Sequence, residues 1–433
     1  MSHIIKKIKN LNLCTGCGTC AGVCLNHAIK MKKSESEGLY LPYVLEEKCA
    51  QCGICSKSCP GYEVDFNELN ERIFGKKPED ARLGNYLGCY IGESCNMDIR
   101  FSSTSGGIAS HILIYALEKH IIDGAVVARM KRKKPLETEA IIARSKEDIF
   151  EAAKSKYCPV ASNEVLKQIL QEDGQFAVVG LPCHIHGVRK TEEVYESLRD
   201  KIVLHIGLMC SHEVSFLGTE FLIDKLGINK NEVKRLTYRG DGWPSGMTIT
   251  LRDGSSIKIP LFGSWHSYWP VFSSFFFTPL RCMMCPDQTA ELADISLGDA
   301  WLPELMDDKI GKSIIVTRTK EAERFLSLMK QENLINIKRI SPEKVNQSQS
   351  INMRFKKDDF ASRISLLASR GHSTPKFSNI ESPRLSPSNI LRFIYSYTNM
   401  KASSNPTVLS ILKGVPLPVF RSYQGLYKLL SMI

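Results

Sequence analysis

The chain has 433 residues and a formal net charge of +11, from 57 basic and 46 acidic side chains. Its hydrophobic content of 43% and charged content of 24% are ordinary for globular proteins, and its length suits two or three domains. No run of 18 apolar residues occurs and no apolar signal core follows the first lysines, so we expect neither a membrane-spanning helix nor a signal peptide. Fifteen cysteines, several in C-x₂-C pairs, indicate a reducing compartment, and we expect a cytoplasmic protein.

Two cysteine runs near the N-terminus carry the strongest signal. They are Cys14-x₂-Cys17-x₂-Cys20-x₃-Cys24 and Cys49-x₂-Cys52-x₂-Cys55-x₃-Cys59-Pro60. Three closely spaced thiolates surround one corner of an iron–sulfur cubane, and the fourth cysteine of each run ligates the other cluster. The runs therefore predict two [4Fe–4S] clusters, the first on Cys14, Cys17, Cys20 and Cys59, the second on Cys49, Cys52, Cys55 and Cys24. Zinc is disfavoured because a third cysteine at the same interval has no use in a tetrahedral site.

We expect an α+β or α/β protein: a small ferredoxin-like domain with two clusters, then a larger mixed α/β flavin-binding domain and a flexible tail. The predicted boundaries are 1–63 for the cluster domain, 64–83 for a linker, 84–165 and 166–340 for two parts of the catalytic unit, and 341–433 for a helical, Ser/Pro-rich region with a basic apolar tail.

The residue pattern predicts the elements in chain order. Within the cluster domain, 28–31 and 39–44 read as a hairpin. Predicted strands then cover 124–129, 140–144, 176–180, 202–210, 294–299 and 313–319, with a hairpin of 247–251 and 256–261 around Asp253-Gly254. Predicted helices cover 108–120, 162–171, 215–226 and 321–331.

A glycine-rich loop precedes the helix predicted at 108–120. Ser103-Thr104-Ser105-Gly106-Gly107 offers small residues and free N–H groups at a helix N-terminus, which favour a phosphate group, although a simple helix cap is the plainer interpretation. A chain of one-electron clusters that exchanges electrons with a hydride carrier needs a group such as a flavin. No GxGxxG fingerprint is present, so any flavin site is of another type.

A second cysteine set lies in the larger domain. We expect Cys183 and Cys210 to end two neighbouring strands, and Cys282-x₂-Cys285 to complete a four-cysteine cage. Either a third [4Fe–4S] cluster or zinc fits that ligand count. The remaining Cys89, Cys95 and Cys158 are expected to be small core residues.

The C-terminal stretch from Ser382 to Ile433 contains six basic residues and no Asp or Glu, and Pro406, Pro416 and Pro418 interrupt its apolar segments. Such a tail is compatible with docking on an anionic membrane surface or a partner, or with a mobile tail whose charges are solvated. The segment Gly371–Asn389 is expected to be a flexible connection. No nucleic-acid-binding motif accompanies the positive charge, and no nucleic acid is expected as a partner.

The chain resembles the family of beta subunits of coenzyme F420-reducing hydrogenases and dehydrogenases, in the subset with a fused two-cluster domain. The matching stretches are Ser105-Gly106-Gly107, Asp123-Gly124-Ala125-Val126-Val127, Ser155-Lys156-Tyr157, Val179-Gly180-Leu181-Pro182-Cys183, Gly207-Leu208-Met209-Cys210, Tyr238-Arg239 with Gly242-Trp243, Arg281-Cys282-x₂-Cys285-x-Asp287, and Ala293–Trp301.

The resemblance implies a non-covalent FAD and a nearby [4Fe–4S] cluster. By the resemblance, Ser105, Gly106 and Gly107 would approach the flavin, Lys156 would lie near its ring or phosphates, and Cys183, Cys210, Cys282 and Cys285 would hold the third cluster. Coenzyme F420 or another small organic substrate would be the hydride carrier, and a ferredoxin or a complex subunit the redox partner. No catalytic residue is assigned.

Two alternatives stay open from the sequence. One is a non-catalytic electron-transfer subunit whose flavin site is degenerate. The other is a scaffold with a structural Cys₄ zinc site beside the ferredoxin-like domain.

Overall fold

The structure is a computed structural model that describes residues 4–262, 264, 266–378 and 384–430. Its strands are β1 (Ile29–Ser34), β2 (Leu39–Val44), β3 (Glu63–Val64), β4 (Gly88–Ser94), β5 (Gly124–Met130), β6 (Thr138–Ala143), β7 (Phe176–Gly180), β8 (Ile202–Leu208), β9 (Val233–Thr237), β10 (Gly246–Leu251), β11 (Ser256–Pro260), β12 (Ile295–Asp299), β13 (Ser313–Thr317), β14 (Ile335–Arg339) and β15 (Lys376–Phe377).

The helices of the first half are α1 (Ile4–Asn10), α2 (Thr19–Gly22), α3 (Ile54–Lys57), α4 (Phe66–Phe74), α5 (Met97–Ser102), α6 (Ile108–Glu118), α7 (Lys146–Ala152), α8 (Leu166–Gln171), α9 (Pro182–Glu192), α10 (Glu196–Lys201) and α11 (Phe216–Lys225). The later helices are α12 (Trp269–Ser273), α13 (Lys320–Gln331), α14 (Pro342–Ser348), α15 (Ser350–Met353), α16 (Phe360–Ala368), α17 (Pro387–Ser404), α18 (Pro406–Gly414) and α19 (Leu417–Leu430).

An eight-stranded mixed sheet forms the centre of the larger domain, in the order β14-β4-β13-β12-β8-β7-β5-β6. The neighbours β5, β7, β8 and β12 run parallel, and the outer strands pair antiparallel. Strands buried on both faces need continuous apolar residues, and Ala125–Val127 and Phe176–Val178 supply them. The predicted mixed α/β fold is confirmed. The carboxyl ends of the parallel strands share one edge, where ligands bind in open α/β sheets.

The predicted elements of the N-terminal half agree closely with the structure. The hairpin β1–β2 connects the two cysteine runs, and β5, β7, β8 and α6 begin within a residue of their predicted starts. The sequence interpretation missed β4 and β14. It also placed Cys183 at a strand end, whereas β7 ends at Gly180 and Cys183 lies in the first turn of α9.

The polar segment 64–83, expected as a linker, contains the nine-residue helix α4. The Asp65 side chain accepts a hydrogen bond from the Glu68 backbone N–H at 3.0 Å and so caps the helix. The apolar side chains of Phe66 and Leu69 are buried in a cluster that also contains Val165. The helix therefore packs on the larger domain.

The C-terminal region is folded where the structure describes it, so the expectation of a flexible tail is wrong for residues 384–430. Helices α17 and α19 bury Phe393, Tyr395, Phe420 and Tyr427 among residues of the N-terminal and larger domains, whereas α18 has no fully buried residue. The prolines do not interrupt these helices, because Pro406 occupies the first turn of α18, where a missing N–H costs nothing. Part of the predicted flexible connection, 379–383, lies outside the described residues.

Docking of the tail on a membrane or a partner stays a prediction. None of the described helices combines the length and the apolar character needed to cross a bilayer.

Candidate functional site

The two N-terminal cysteine runs adopt the same local backbone. In each run a glycine with a left-handed conformation precedes a one-turn helix, Gly18 (φ 84°) before α2 and Gly53 (φ 76°) before α3. In each run the first thiol accepts a hydrogen bond at 3.4 Å from the backbone N–H two residues later, at Cys14 and at Cys49. Hydrogen bonds of this kind to sulfur tune iron–sulfur clusters. The repeat in sequence is therefore a repeat in structure.

The last cysteine of the second run lies beside the first run. Burial raises the pKa of the Cys14 thiol, and repulsion from Cys59 and then Cys17 adds to the shift. Burial also raises the pKa of Cys20, with repulsion from Cys14 and Cys59. These four thiols are the expected first set.

The last cysteine of the first run lies, conversely, beside the second run. Burial, with repulsion from Cys24, Cys52 and Cys49, raises the pKa of the Cys55 thiol to about 12. The structure thus places Cys59 beside the first run and Cys24 beside the second, as a crossed arrangement requires, and the assignment of ligands to the two clusters stays a prediction. Bound iron would have to displace protons from these thiols.

The second cysteine set also converges. Strands β7 and β8 are parallel, with Gly180 opposite Gly207, so the segments that follow them leave the sheet at the same edge. Cys183 follows β7, Cys210 follows β8, and Cys282 and Cys285 come from a short 3-10 turn after α12. All four line one small cavity.

This small cavity extends to the ferredoxin-like domain, because Cys14 also lines it. The proximity is shown by electrostatics as well: after burial, repulsion from Cys17 is the strongest influence that raises the pKa of Cys183. The first N-terminal cysteine set and the second-domain set are therefore neighbours. By contrast, Cys52 of the other N-terminal set is exposed.

A much larger cavity, of about 1080 Å³, lies at the carboxyl edge of the parallel strands. Its volume is at the upper end of the range for cofactor and substrate sites. Residues from the loop before α6, from the ends of β7, β8 and β12, and from α19 line it. Cys210 and Glu213 line both this cavity and the small one, so the two cavities share a wall. Burial raises the pKa of Glu213 to about 8, against a hydrogen bond involving the Val160 backbone that lowers it.

The predicted loop residues differ in their surroundings. Ser105 and Gly107 line the large cavity, whereas Gly106 does not line it. A Cβ at Gly106 would lie 2.3 Å from the carbonyl oxygen of Gly92, so this glycine allows close packing of the loop on β4. Ser105 is held by a hydrogen bond of 2.8 Å between its hydroxyl and that of Ser313.

Lys156 lines the same cavity, and its neighbour Ser155 hydrogen-bonds to the hydroxyl of Thr104 in the loop before α6 at 3.1 Å. Its ammonium donates hydrogen bonds to the backbone carbonyls of Ala152, Ala153 and Lys154, at the C-terminal end of α7. Burial lowers the pKa of Lys156 to about 7, Cys158 opposes this shift and Lys154 adds to it. The three carbonyl acceptors hold the Lys156 side chain in place at the end of α7.

Arg239 fixes the loop to the edge of the sheet, a role the sequence did not assign. Its guanidinium pairs with the Asp299 carboxylate at 2.7 Å and donates to the Thr104 carbonyl at 2.7 Å. The Tyr157 hydroxyl accepts a further bond at 3.1 Å. Arg239 is 1% exposed. The only sequence signal was its place in the resemblance, beside Gly242-Trp243.

The donor sets fit the groups that the sequence implies. Among the described residues, no three His, Cys, Asp or Glu side chains are placed to hold a single metal ion. The four thiols that line the small cavity match the ligand number of a four-iron cubane. At the large cavity, Gln288 contributes a buried side-chain carbonyl oxygen that has no hydrogen-bond partner. Such an oxygen suits a ligand that donates a hydrogen bond.

Of the remaining cysteines, Cys89 and Cys158 are buried as expected. Cys95 is exposed, so its assignment to the core is wrong. It follows β4 directly, and its backbone N–H bonds to the Leu334 carbonyl at 2.8 Å, which leaves the side chain at the sheet edge.

Three family models match the chain. Residues 13–62 match a 4Fe-4S dicluster domain. Residues 89–167 match the N-terminal part, and residues 173–343 the C-terminal part, of the coenzyme F420 hydrogenase/dehydrogenase beta subunit.

Several curated proteins are similar to this chain over more than half of its length. The chain is 25% identical to one subunit of the F(420)H(2) dehydrogenase of Methanosarcina mazei, over 76% of this chain and 85% of that protein. It is 28% identical to the beta subunit of the coenzyme F420 hydrogenase of Methanothermobacter thermautotrophicus, over 60% of this chain and 86% of that protein. It is 26% identical to a coenzyme F420-dependent sulfite reductase of Methanocaldococcus jannaschii, over 72% of this chain and 50% of that protein.

A solved structure has the same fold: a chain of the F420-reducing [NiFe] hydrogenase complex from Methanosarcina barkeri, with a TM-score of 0.52 and 24% identity over 71% of this chain and 99% of that one. Together with the two cysteine runs, these matches show that the chain belongs to the family of coenzyme F420 hydrogenase/dehydrogenase beta subunits and carries an N-terminal 4Fe-4S dicluster domain.

Proposed function

We propose that this protein is an iron–sulfur flavoprotein oxidoreductase that passes electrons between a hydride carrier or small organic substrate at FAD and its [4Fe–4S] clusters. The observation that carries the proposal is the shared wall of the two cavities. Cys210 of the second-domain set lies at the boundary of a cavity of about 1080 Å³ whose other side is the loop before α6. A flavin in this cavity would be next to the third cluster.

The loop before α6 is the proposed binding site of the flavin phosphates. Ser105 and Gly107 line the cavity where α6 begins, so backbone N–H groups and the positive end of the helix dipole are available to an anion. Lys156 would add its charge from the adjacent segment, where Ser155 hydrogen-bonds to Thr104 of this loop. When bound, a flavin exchanges hydride with a carrier and single electrons with clusters.

Cys183, Cys210, Cys282 and Cys285 are the proposed ligands of a third [4Fe–4S] cluster. Their convergence on one cavity supports this assignment. The 4Fe-4S dicluster domain in the same chain favours a further cluster over zinc at this site.

The proposed order of the redox centres follows from which sets are neighbours. The second-domain set is next to the large cavity, the set of Cys14 is next to the second-domain set, and the set of Cys55 contains the exposed Cys52. We place contact with a redox partner, a ferredoxin or a complex subunit, at the Cys52 face. Relatives named as hydrogenase and dehydrogenase subunits support such a partner.

The proposed hydride carrier is coenzyme F420 or a similar anionic compound. The names of the relatives support this class. The cavity wall also contains Lys154, Lys156 and Lys428, which would attract an anionic molecule. All fifteen cysteines are free, which supports a reducing compartment and the proposed cytoplasmic location.

The test is anaerobic mixing of the iron- and flavin-loaded protein with reduced F420 while flavin absorbance near its visible maximum is followed. We expect the absorbance to fall and the clusters to be reduced afterwards. Reduced nicotinamide nucleotides serve as comparison carriers. Retained flavin with no response to F420 would reject this carrier, and protein that binds no flavin would instead support the alternative of a non-catalytic electron-transfer subunit.

A further inference from the structure

Lys356 is a buried cation without a counter-ion. Its side chain is 2% exposed, among the most completely buried large side chains of the chain. Within the part of the chain that the structure describes, no carboxylate pairs with its ammonium and no oxygen accepts a hydrogen bond from it. An isolated buried charge is unfavourable in a protein unless something compensates it. A compensating group is therefore expected at this position.

The ammonium lies at the cavity of the second-domain cysteines. Lys356 lines that cavity together with Cys183, Cys210, Cys282 and Cys285. Burial raises the pKa of Cys210, and the Lys356 charge is the largest influence opposing that shift. Lys356 also opposes the raised pKa of Cys282. The lysine therefore faces thiols from two separate segments.

The backbone is specialised to place this residue. Arg354–Asp358 forms a turn of π-helix between α15 and α16. Such turns are rare and occur frequently at functional sites, because they displace one residue from the regular helical face. Here the displaced segment contains Lys356 at its centre.

Three neighbouring charged residues are paired, in contrast to Lys356. Lys357 pairs with Glu291, Asp358 with Arg82 and Asp359 with Arg392, each at 2.8 Å. Two acids line the cavity, Asp287 and Glu213. Asp287 accepts hydrogen bonds from His186 and from the backbone N–H groups of Thr289 and Glu291, and neither acid forms an ion pair with Lys356. Among the described residues, therefore, no carboxylate is paired with the Lys356 ammonium.

We propose that the Lys356 ammonium compensates the negative charge of a thiolate-ligated cluster held by the second-domain cysteines, and that it raises the reduction potential of this cluster. This inference rests on the proposed third cluster. Four thiolates make such a cluster a net anion, and reduction adds another negative charge, so a fixed cation nearby favours the reduced state. Lys356 lies beyond residue 343, where the match to the family model ends.

The test compares Lys356→Met with Lys356→Arg in the full-length, reconstituted protein. Cluster reduction is followed by paramagnetic resonance during a potentiometric titration, and the N-terminal clusters serve as an internal reference. In K356M we expect the midpoint potential of the cluster held by the second-domain cysteines to fall by at least about 59 mV. For one electron, this shift corresponds to a tenfold change in the ratio of reduced to oxidised cluster. K356R should stay near the wild-type value, and the cluster with Cys55 should not shift in either variant.

Other outcomes are also decisive. Unchanged potentials in K356M with full iron content would overturn the role of Lys356 while leaving the third cluster intact. Selective loss of four irons in both K356M and K356Q, with retention in K356R, would support a requirement for the positive charge. The same loss in K356R would overturn the proposal. Wild-type protein with two clusters and one zinc would refute the third cluster itself, and metal analysis recognises this result before any variant is made.

Discussion

The guanidinium of Arg239 is 2.7 Å from the carbonyl oxygen of Thr104 and 2.7 Å from a carboxylate oxygen of Asp299. One buried side chain thus connects the loop before α6 with the end of a central strand. The loop's position, and with it the direction of its backbone N–H groups, depends on this connection. The arrangement provides the first test of the proposed flavin site.

Replacing Arg239 with Leu should weaken flavin binding by at least tenfold. The change leaves Asp299 without its charged partner and frees the loop, and breaking a buried ion pair costs about 3–5 kcal/mol. Equilibrium dialysis against FAD measures the affinity, and thermal unfolding monitors stability. Arg235→Leu, at an exposed position of β9, is the matched control and should bind flavin normally. Wild-type affinity in a folded R239L protein would contradict the role of this contact.

The crossed ligation is tested with Cys24→Ala and Cys59→Ala. In C24A we expect the loss of about four irons from the cluster that involves Cys49, Cys52 and Cys55. Alkylation under anaerobic conditions followed by mass spectrometry should then label these three cysteines and spare Cys14. C59A should give the converse pattern. Labelling of Cys14 in C24A would show that each run binds its own cluster.

The fold and the site were predictable to different degrees. The cysteine spacing predicted which of the eight N-terminal thiols lie close together, because most ligands of one cluster are only a few residues apart in the chain. Apolar runs such as Phe176–Val178 predicted the central strands for the same reason. The sequence alone, by contrast, could not show that Gly106 has a different role from Ser105 and Gly107. A glycine is needed at 106 because β4 packs closely against it, and this contact is visible only in the folded structure.

The remaining differences between the sequence predictions and the structure involve residues whose contacts are far apart in the chain. Lys356 and Arg239 have no local pattern that marks them, because their partners are distant in the chain. The C-terminal helices were read as a mobile tail because their prolines and basic residues are also typical of disorder. Their apolar residues find partners only when the larger domain is folded.

The packed C-terminus predicts a large effect of Phe420→Ala. Phe420 is 3% exposed and contacts Phe221 and Phe276 edge-on, with ring centroids 6.2 and 5.5 Å away. Removing a buried Phe side chain typically lowers the free energy of unfolding by about 3–5 kcal/mol. Ile411→Ala, at a side chain that is 65% exposed, is the control and should change it by less than about 0.5 kcal/mol. Urea unfolding measures the free energy of unfolding of both variants. Equally small changes in F420A and I411A would mean that the C-terminal helices are not packed on the larger domain.

A buried charge network predicts a dependence of stability on pH. His205 contacts Glu192 at 2.6 Å and Asp294 at 2.9 Å. Burial and Arg189 act to lower the pKa of His205, but Glu192 and Asp294 outweigh them, so that its pKa is raised. A raised pKa adds stability that is fully present below the unfolded value of about 6.5 and is lost as the pH rises through the folded value.

The corresponding experiment is urea unfolding of wild-type protein and His205→Gln between pH 6 and pH 9. The wild type should lose stability relative to the variant as the pH rises, because Gln does not titrate. If the difference in the free energy of unfolding between the two proteins is constant over this pH range, His205 is not protonated in the folded state.

The central claim is the combination of three clusters with one flavin in a single chain. Its most direct test is a measurement of iron, zinc and acid-released flavin in one anaerobically reconstituted sample, with Cys95→Ala as the control for a cysteine outside the proposed sets. The account predicts about twelve irons, no stoichiometric zinc and about one FAD per chain. About eight irons with one zinc and no flavin would contradict it.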